Sequence, residues 1–241
     1  MVCATIDVMA ARPELLVDLD PFDLLDVECR RVAAFFDSLD EAGWAVATRC
    51  SEWDVRDMLG HLAFVEDYNR AGLDGRVGEL IAASAGASAE AINAYGVSLR
   101  AARPTAEVLA EWRAANASWR EEMRRRGRDG SVDSMVGPYP SWQQAFYLAD
   151  EYATHGDDMG VPVDAEEVAP RDAWRALFTR YGVEETERPV TIVVVSDGNL
   201  VRGDDAQIVL SDHDLAEAGV GRLPAGHPIP EYLRTALTCL T

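Results

Sequence analysis

Histidine is scarce in this sequence, and two of its four copies stand where they can do chemistry. His61 falls in Trp53-Asp54-Val55-Arg56-Asp57-Met58-Leu59-Gly60-His61-Leu62, and His155 in Glu151-Tyr152-Ala153-Thr154-His155-Gly156-Asp157-Asp158. Four positions apart on a helix, Glu151 and His155 share one face, so a carboxylate and an imidazole sit side by side. If the helix carrying His61 faces that pair, two imidazoles and one carboxylate form a three-donor set. That is the pattern of a catalytic zinc with an open position, built as bundle-core metal sites are, from inward side chains on facing helices. Asp57, four residues before His61, and Asp158, three after His155, are candidate acceptors for the second ring nitrogens of the two histidines. Spacing alone leaves plainer readings open. A Glu/His pair at this spacing is more often an exposed helix pair, a single buried histidine more often a satisfied core residue, and the two aspartates read equally well as solvated acids.

The elements that must position these residues are mostly helical. Asp20 to Glu41 carries Phe22, Leu25, Val32, Phe35, Phe36 and Leu39 at helical spacing. Ser51 or Asp54 can cap a second helix that runs to about Gly72, with Val55, Met58, Leu62 and Val65 on its apolar face. Asp74 to Ser88 has no clear pattern. Helices follow over Ala89–Ala102 and, after Pro104, over Thr105–Arg126; the stretch up to Pro140 reads as a loop, and Ser141 as the cap of a helix reaching Met159. Val161 to Pro170 reads as a linker. Beyond it come a short helix over Arg171–Tyr181, a β-branched strand over Val190–Val195, and the hairpin signal Asp197-Gly198. Leu200–Arg202 and Gln207–Leu210 complete a small sheet, and Pro230–Leu240 is a terminal helix. The predicted class is mainly α, a helical bundle over residues 1–160 followed by a small α+β domain over 161–241.

Composition removes several kinds of chemistry. All 22 basic residues are arginine, against 42 acids, for a net charge of −20. Without lysine there is no Schiff-base amine, no pyridoxal-phosphate anchor and no Walker-type or kinase-type phosphate lysine. The acid excess argues against nucleic acid as a partner, which needs a basic face. The first residues lack the basic and apolar regions of a secretory signal, and no apolar run approaches the ~20 residues of a membrane helix, so a cytoplasmic protein is expected. Cys3, Cys29, Cys50 and Cys239 are scattered without a C-x-x-C pair, which argues for reduced thiols and against a cysteine-rich zinc site. The one basic cluster, Arg120 with Arg124, Arg125, Arg126 and Arg128, reads as a helix C-terminus whose cations complement the dipole, with an anion site as the sharper alternative. Trp142 and Tyr139 are candidates to line a pocket, and His213 and His227 read as surface residues.

Trp53-Asp-Val-Arg-Asp-x-x-x-His61-Leu, followed by Glu151-x-x-x-His155-Gly-x-Asp158, resembles the DinB-like superfamily over roughly residues 20–160. It is most similar to the mycothiol-dependent maleylpyruvate isomerase branch. The resemblance implies an antiparallel four-helix bundle and a divalent metal, usually zinc, with His61, Glu151 and His155 on the ligand positions. It also implies a small thiol of the mycothiol type as co-substrate and a small electrophilic molecule as substrate. Isomerases of the branch take a catalytic arginine from a smaller C-terminal domain. Arg202, Arg222 and Arg234 are candidates here, and the motif assigns the role to none of them. A thiol with a pKa near ~8.5 is mostly protonated at neutral pH, and such a centre favours its anion. The arginine-only basicity and 36 alanines fit a GC-rich, actinobacterial source. Two other classes stay open: a bundle enzyme performing thiol-independent cyclisation or hydrolysis, and a non-catalytic small-molecule-binding protein.

Overall fold

The structure, a computed structural model, describes residues 13–84 and 88–240. Its chain divides into two compact units, one spanning residues 21–162 and the other combining the segment before residue 21 with residues 163 onward.

The first unit is built on four long helices. In α1 (Pro21–Ser38), Phe22, Leu25, Cys29, Val32 and Phe36 recur every three or four residues and are buried. α2 (Val55–Asp74) begins at Asp54, whose carboxylate accepts from Asp57 N at 2.8 Å, while the Asp57 carboxylate accepts from Asp54 N. This reciprocal cap satisfies two donors that a helix start leaves bare. Gly75, at φ 69°, ends the helix in the left-handed conformation that glycine adopts without a Cβ penalty. The unpatterned stretch that follows holds a short helix, α3 (Val77–Ala83). α4 (Ala89–Ser98) lies on α2, with Gly96 so close to the Phe64 ring that a Cβ would stand 2.2 Å from its Cγ. α5 (Thr105–Arg126) packs on α2, and α6 (Ser141–Met159) on α1. Arg56 anchors α2 to the α4–α5 connection, donating to Arg100 O and Arg103 O, both at 2.9 Å, and to Thr105 Oγ1 at 3.0 Å.

Two details here differ from expectation. The stretch before α6 is not a loop but a hairpin, β1 (Ser131–Ser134) paired antiparallel with β2 (Gly137–Pro140) in the register Val132↔Tyr139. Ser141 is not the cap of α6 but its first residue; Pro140 holds the cap position in extended conformation, and the buried Ser141 Oγ has no hydrogen-bond partner. Pro140 supplies the fixed φ that starts the helix, so no side-chain cap is needed to set its direction.

In the second unit α7 (Ala165–Glu185) starts inside the expected linker and carries Pro170. The proline is the sixth residue of the helix, one turn in, where it removes one backbone bond, and the helix continues through it to Glu185. β3 (Thr191–Val195), β4 (Gly198–Arg202) and β5 (Gln207–Leu210) form an antiparallel sheet in the order β3-β4-β5. α8 (Asp212–Gly219), capped by Ser211 Oγ accepting from Asp214 N, was not expected; the pattern Ser211-x-x-Asp214 is its sequence signature. α9 (Glu231–Leu237) closes the described chain. Val201, Leu210, Leu215, Leu233 and Leu237 are the centre of this core, each burial being worth about 1.5–3 kcal/mol. Among the described residues before α1, Pro13–Leu16 form a tight turn that packs against α7 with Leu16 fully buried.

Candidate metal centre

α2 and α6 bring His61, Glu151 and His155 together. His61 Nε2 lies 3.0 Å from Glu151 Oε1 and 3.1 Å from His155 Nε2, and His155 Nε2 lies 3.3 Å from Glu151 Oε1. Both histidines are buried, while Glu151 keeps partial exposure. Their rings meet edge to face at 4.7 Å. On its other side the His61 ring stands 5.0 Å from Trp53, inclined by 34°. The Trp53-Asp54-Val55-Arg56-Asp57 run thus divides its labour: Trp53 covers His61, Asp54 and Asp57 start the helix, and Arg56 fastens it.

The two aspartates behave differently. Asp158 Oδ2 lies 3.1 Å from His155 Nδ1, so the ring donates its Nδ1 proton to the carboxylate and points Nε2 towards His61 and Glu151. Asp57 does not partner His61. Its carboxylate is spent on the α2 cap, and His61 Nδ1 is buried without a hydrogen-bond partner.

Electrostatics set the protonation states. Burial alone disfavours charge on all three residues. For His61 burial prevails and its pKa is lowered. For Glu151 it is outweighed by His155 and His61, which hold the carboxyl well below the usual glutamate range. For His155 it is outweighed by Glu151, Asp158 and Cys50, which push the ring well up. Cation binding requires an ionised carboxylate and neutral imidazoles, so Glu151 and His61 are in the ligating state and a bound ion would displace the Nε2 proton of His155. Donor atoms around a tetrahedral zinc, at about 2.0–2.1 Å from the ion, stand about 3.3–3.4 Å apart. The observed 3.0–3.3 Å needs only a small outward shift. The residues fit a divalent ion.

The remaining candidates have partners of their own. His213 is exposed with its Nδ1 3.4 Å from Asp172, and His227 Nδ1 accepts from Ile229 N at 3.3 Å. Arg234 donates to Leu223 O and Pro224 O, a structural clasp within the second unit. The arginine cluster of α5 is paired: Arg120 with Asp26, Arg124 with Asp23 and Asp26, Arg125 and Arg126 with Glu122. Arg128 lies 5.2 Å over the Trp142 ring. Cys3 falls outside the described residues.

Sequence reasoning missed two groups. Cys50 donates to Asp158 Oδ2 at 3.3 Å, and Arg49 N donates to Asp158 O at 2.9 Å. The contact spans 108 positions and has no local signature. Deeper in the bundle, the buried Glu66 accepts from Tyr152 at 2.5 Å, Asn116 at 2.8 Å and Asn69 at 3.1 Å, and the Tyr152 hydroxyl accepts from Trp112 Nε1 at 2.9 Å.

The family model described as mycothiol maleylpyruvate isomerase N-terminal domain matches residues 25–160, from α1 to the end of α6. No curated protein and no solved structure gives a match.

Proposed function

Since the chain belongs to the mycothiol maleylpyruvate isomerase N-terminal domain family, a family of mycothiol-related enzyme domains, we propose that it activates a small thiol at a divalent metal held by His61, Glu151 and His155. The thiol, of the mycothiol kind, would attack a small electrophilic molecule. The observation that carries this reading is the convergence of two imidazole nitrogens and one carboxylate oxygen within 3.0–3.3 Å.

A bound ion, zinc by the donor set, supplies stabilisation of a thiolate at neutral pH. The protein's own residues supply the rest. Asp158 fixes the tautomer and orientation of His155. Trp53 restrains the His61 ring and keeps water from its face. Glu151, partly exposed, marks the side on which reactants approach. Addition of the thiol to an electrophilic double bond and its later expulsion gives isomerisation, and displacement of a leaving group gives transfer.

The test combines metal analysis with turnover. The purified protein is expected to carry a divalent metal and to consume mycothiol with an electrophilic acceptor. His61→Ala and His155→Ala should lose the ion of this centre and turnover while keeping the far-ultraviolet spectrum of the helices. Turnover that persists without any thiol, or a folded protein that retains no metal, would overturn the reading.

A further inference from the structure

His155 has a set of donors on each side. Its Nε2 faces His61 and Glu151, while its Nδ1 faces Asp158, whose Oδ2 also receives Cys50 Sγ. Donor atoms of Cys50, His155 and Asp158 all lie within 4.8 Å of one another. The second set mixes a soft sulfur, an imidazole nitrogen and a carboxylate oxygen, which suits zinc, cobalt and cadmium rather than magnesium or calcium. With Zn–S near 2.3 Å and Zn–N and Zn–O near 2.0–2.1 Å, tetrahedral geometry separates oxygen from nitrogen by about 3.3 Å and oxygen from sulfur by about 3.5 Å. The structure has 3.1 and 3.3 Å.

The surroundings leave this set usable. Arg49 Nε approaches one carboxylate oxygen, Asp158 Oδ1, at 3.7 Å, while the thiol and the ring both meet the other, Oδ2. Asp158 is buried, whereas Cys50 is half-buried and followed by exposed Ser51 and Glu52, so the sulfur edge is the approach from solvent.

We propose that Cys50, His155 and Asp158 form a second cation site, thiolate-bearing and selective for a borderline or soft divalent ion, with His155 shared between it and the His61–Glu151 set. Filling it displaces two protons to solvent, one from the Cys50 thiol and one from His155 Nδ1. With both sets filled, two divalent ions face the Glu151 and Asp158 carboxylates, the Cys50 thiolate and an imidazolate. The four positive charges are then matched by four negative ones.

Cobalt(II) titration of the metal-stripped full chain tests this directly, because sulfur ligation gives a thiolate-to-cobalt charge-transfer band that nitrogen and oxygen ligands do not. Two cobalt ions per chain are expected, with the band present. Cys50→Ser should bind one ion without the band, and His61→Gln should keep the band with one ion fewer. Saturation of the unmodified chain at one ion with no sulfur band would overturn the second site and leave the proposed function standing. A single ion whose band survives in His61→Gln would sustain the second site and overturn the His61–Glu151–His155 centre instead. A band that survives in Cys50→Ser, or binding of no ion at all, would also overturn the proposal.

Discussion

At the scale of single residues, the side chains of the proposed metal centre are held by neighbours that fix their protonation or their angle. Asp158 is such a neighbour. Asp158→Asn should weaken zinc retention by roughly 10–100-fold, the usual cost of losing a carboxylate behind a ligating histidine, measurable by competition with a chelator. Glu66 offers a second case. Burial raises its pKa despite hydrogen bonds from Asn116, Tyr152 and Asn69, and Asn69 Oδ1 is buried without a partner. A proton on Glu66, with the Asn69 amide turned over, would satisfy that oxygen. An acid whose folded pKa is raised stabilises the fold fully below its unfolded pKa, and this contribution is lost as pH rises through the folded value. Glu66→Gln carries the missing donor at every pH. Its melting temperature should gain on the parent protein as pH rises from the acid range towards neutrality. A gap that stays constant with pH would show that Glu66 does not titrate there.

Helices and hairpins decide whether those residues meet. Asp54→Ala removes the cap of α2 and should cost about 0.5–2 kcal/mol, read from denaturant unfolding. The long amphipathic helices were legible because a 3.6-residue period survives without tertiary information, and the meeting of His61, Glu151 and His155 was foreseeable from their types and spacing. Other elements were hidden for identifiable reasons. The β1–β2 hairpin contains Pro138 and Pro140, which make the segment read as loop, yet both fall at pairs between the hydrogen-bonded ones, where a strand can lack the N–H. Pro170 masked the start of α7, because a proline past the first turn ordinarily marks a helix boundary, whereas here the helix runs through it. The role of Asp57 was undecidable from sequence: helix spacing places it beside His61 as readily as in a cap, and only the reciprocal bond with Asp54 settles it. Cys50 and Asp158 meet only through tertiary packing, which no window of neighbouring residues records.

For the molecule as a whole, a ligand that binds only the folded state adds stability by mass action. Zinc at about 100 times its dissociation constant should add about 2.7 kcal/mol. Calorimetry should show a rise in melting temperature that a chelator reverses and that is absent from a variant lacking both His61 and Cys50. A rise that persists in that double variant would place the stabilising ion elsewhere. The division of the chain has a further consequence, because the turn at Pro13–Leu16 belongs with α7 although the whole of residues 21–162 lies between them. During synthesis on the ribosome, the bundle segment emerges complete while Leu16 still lacks the helix that buries it. The helices that carry His61, Glu151 and His155 can therefore form before the second unit has its material. The early turn must wait, its apolar side chain open to chaperones, until α7 clears the exit tunnel. A single proteolytic nick near Pro162 would likewise leave the two units' sequences interleaved rather than cleanly parted.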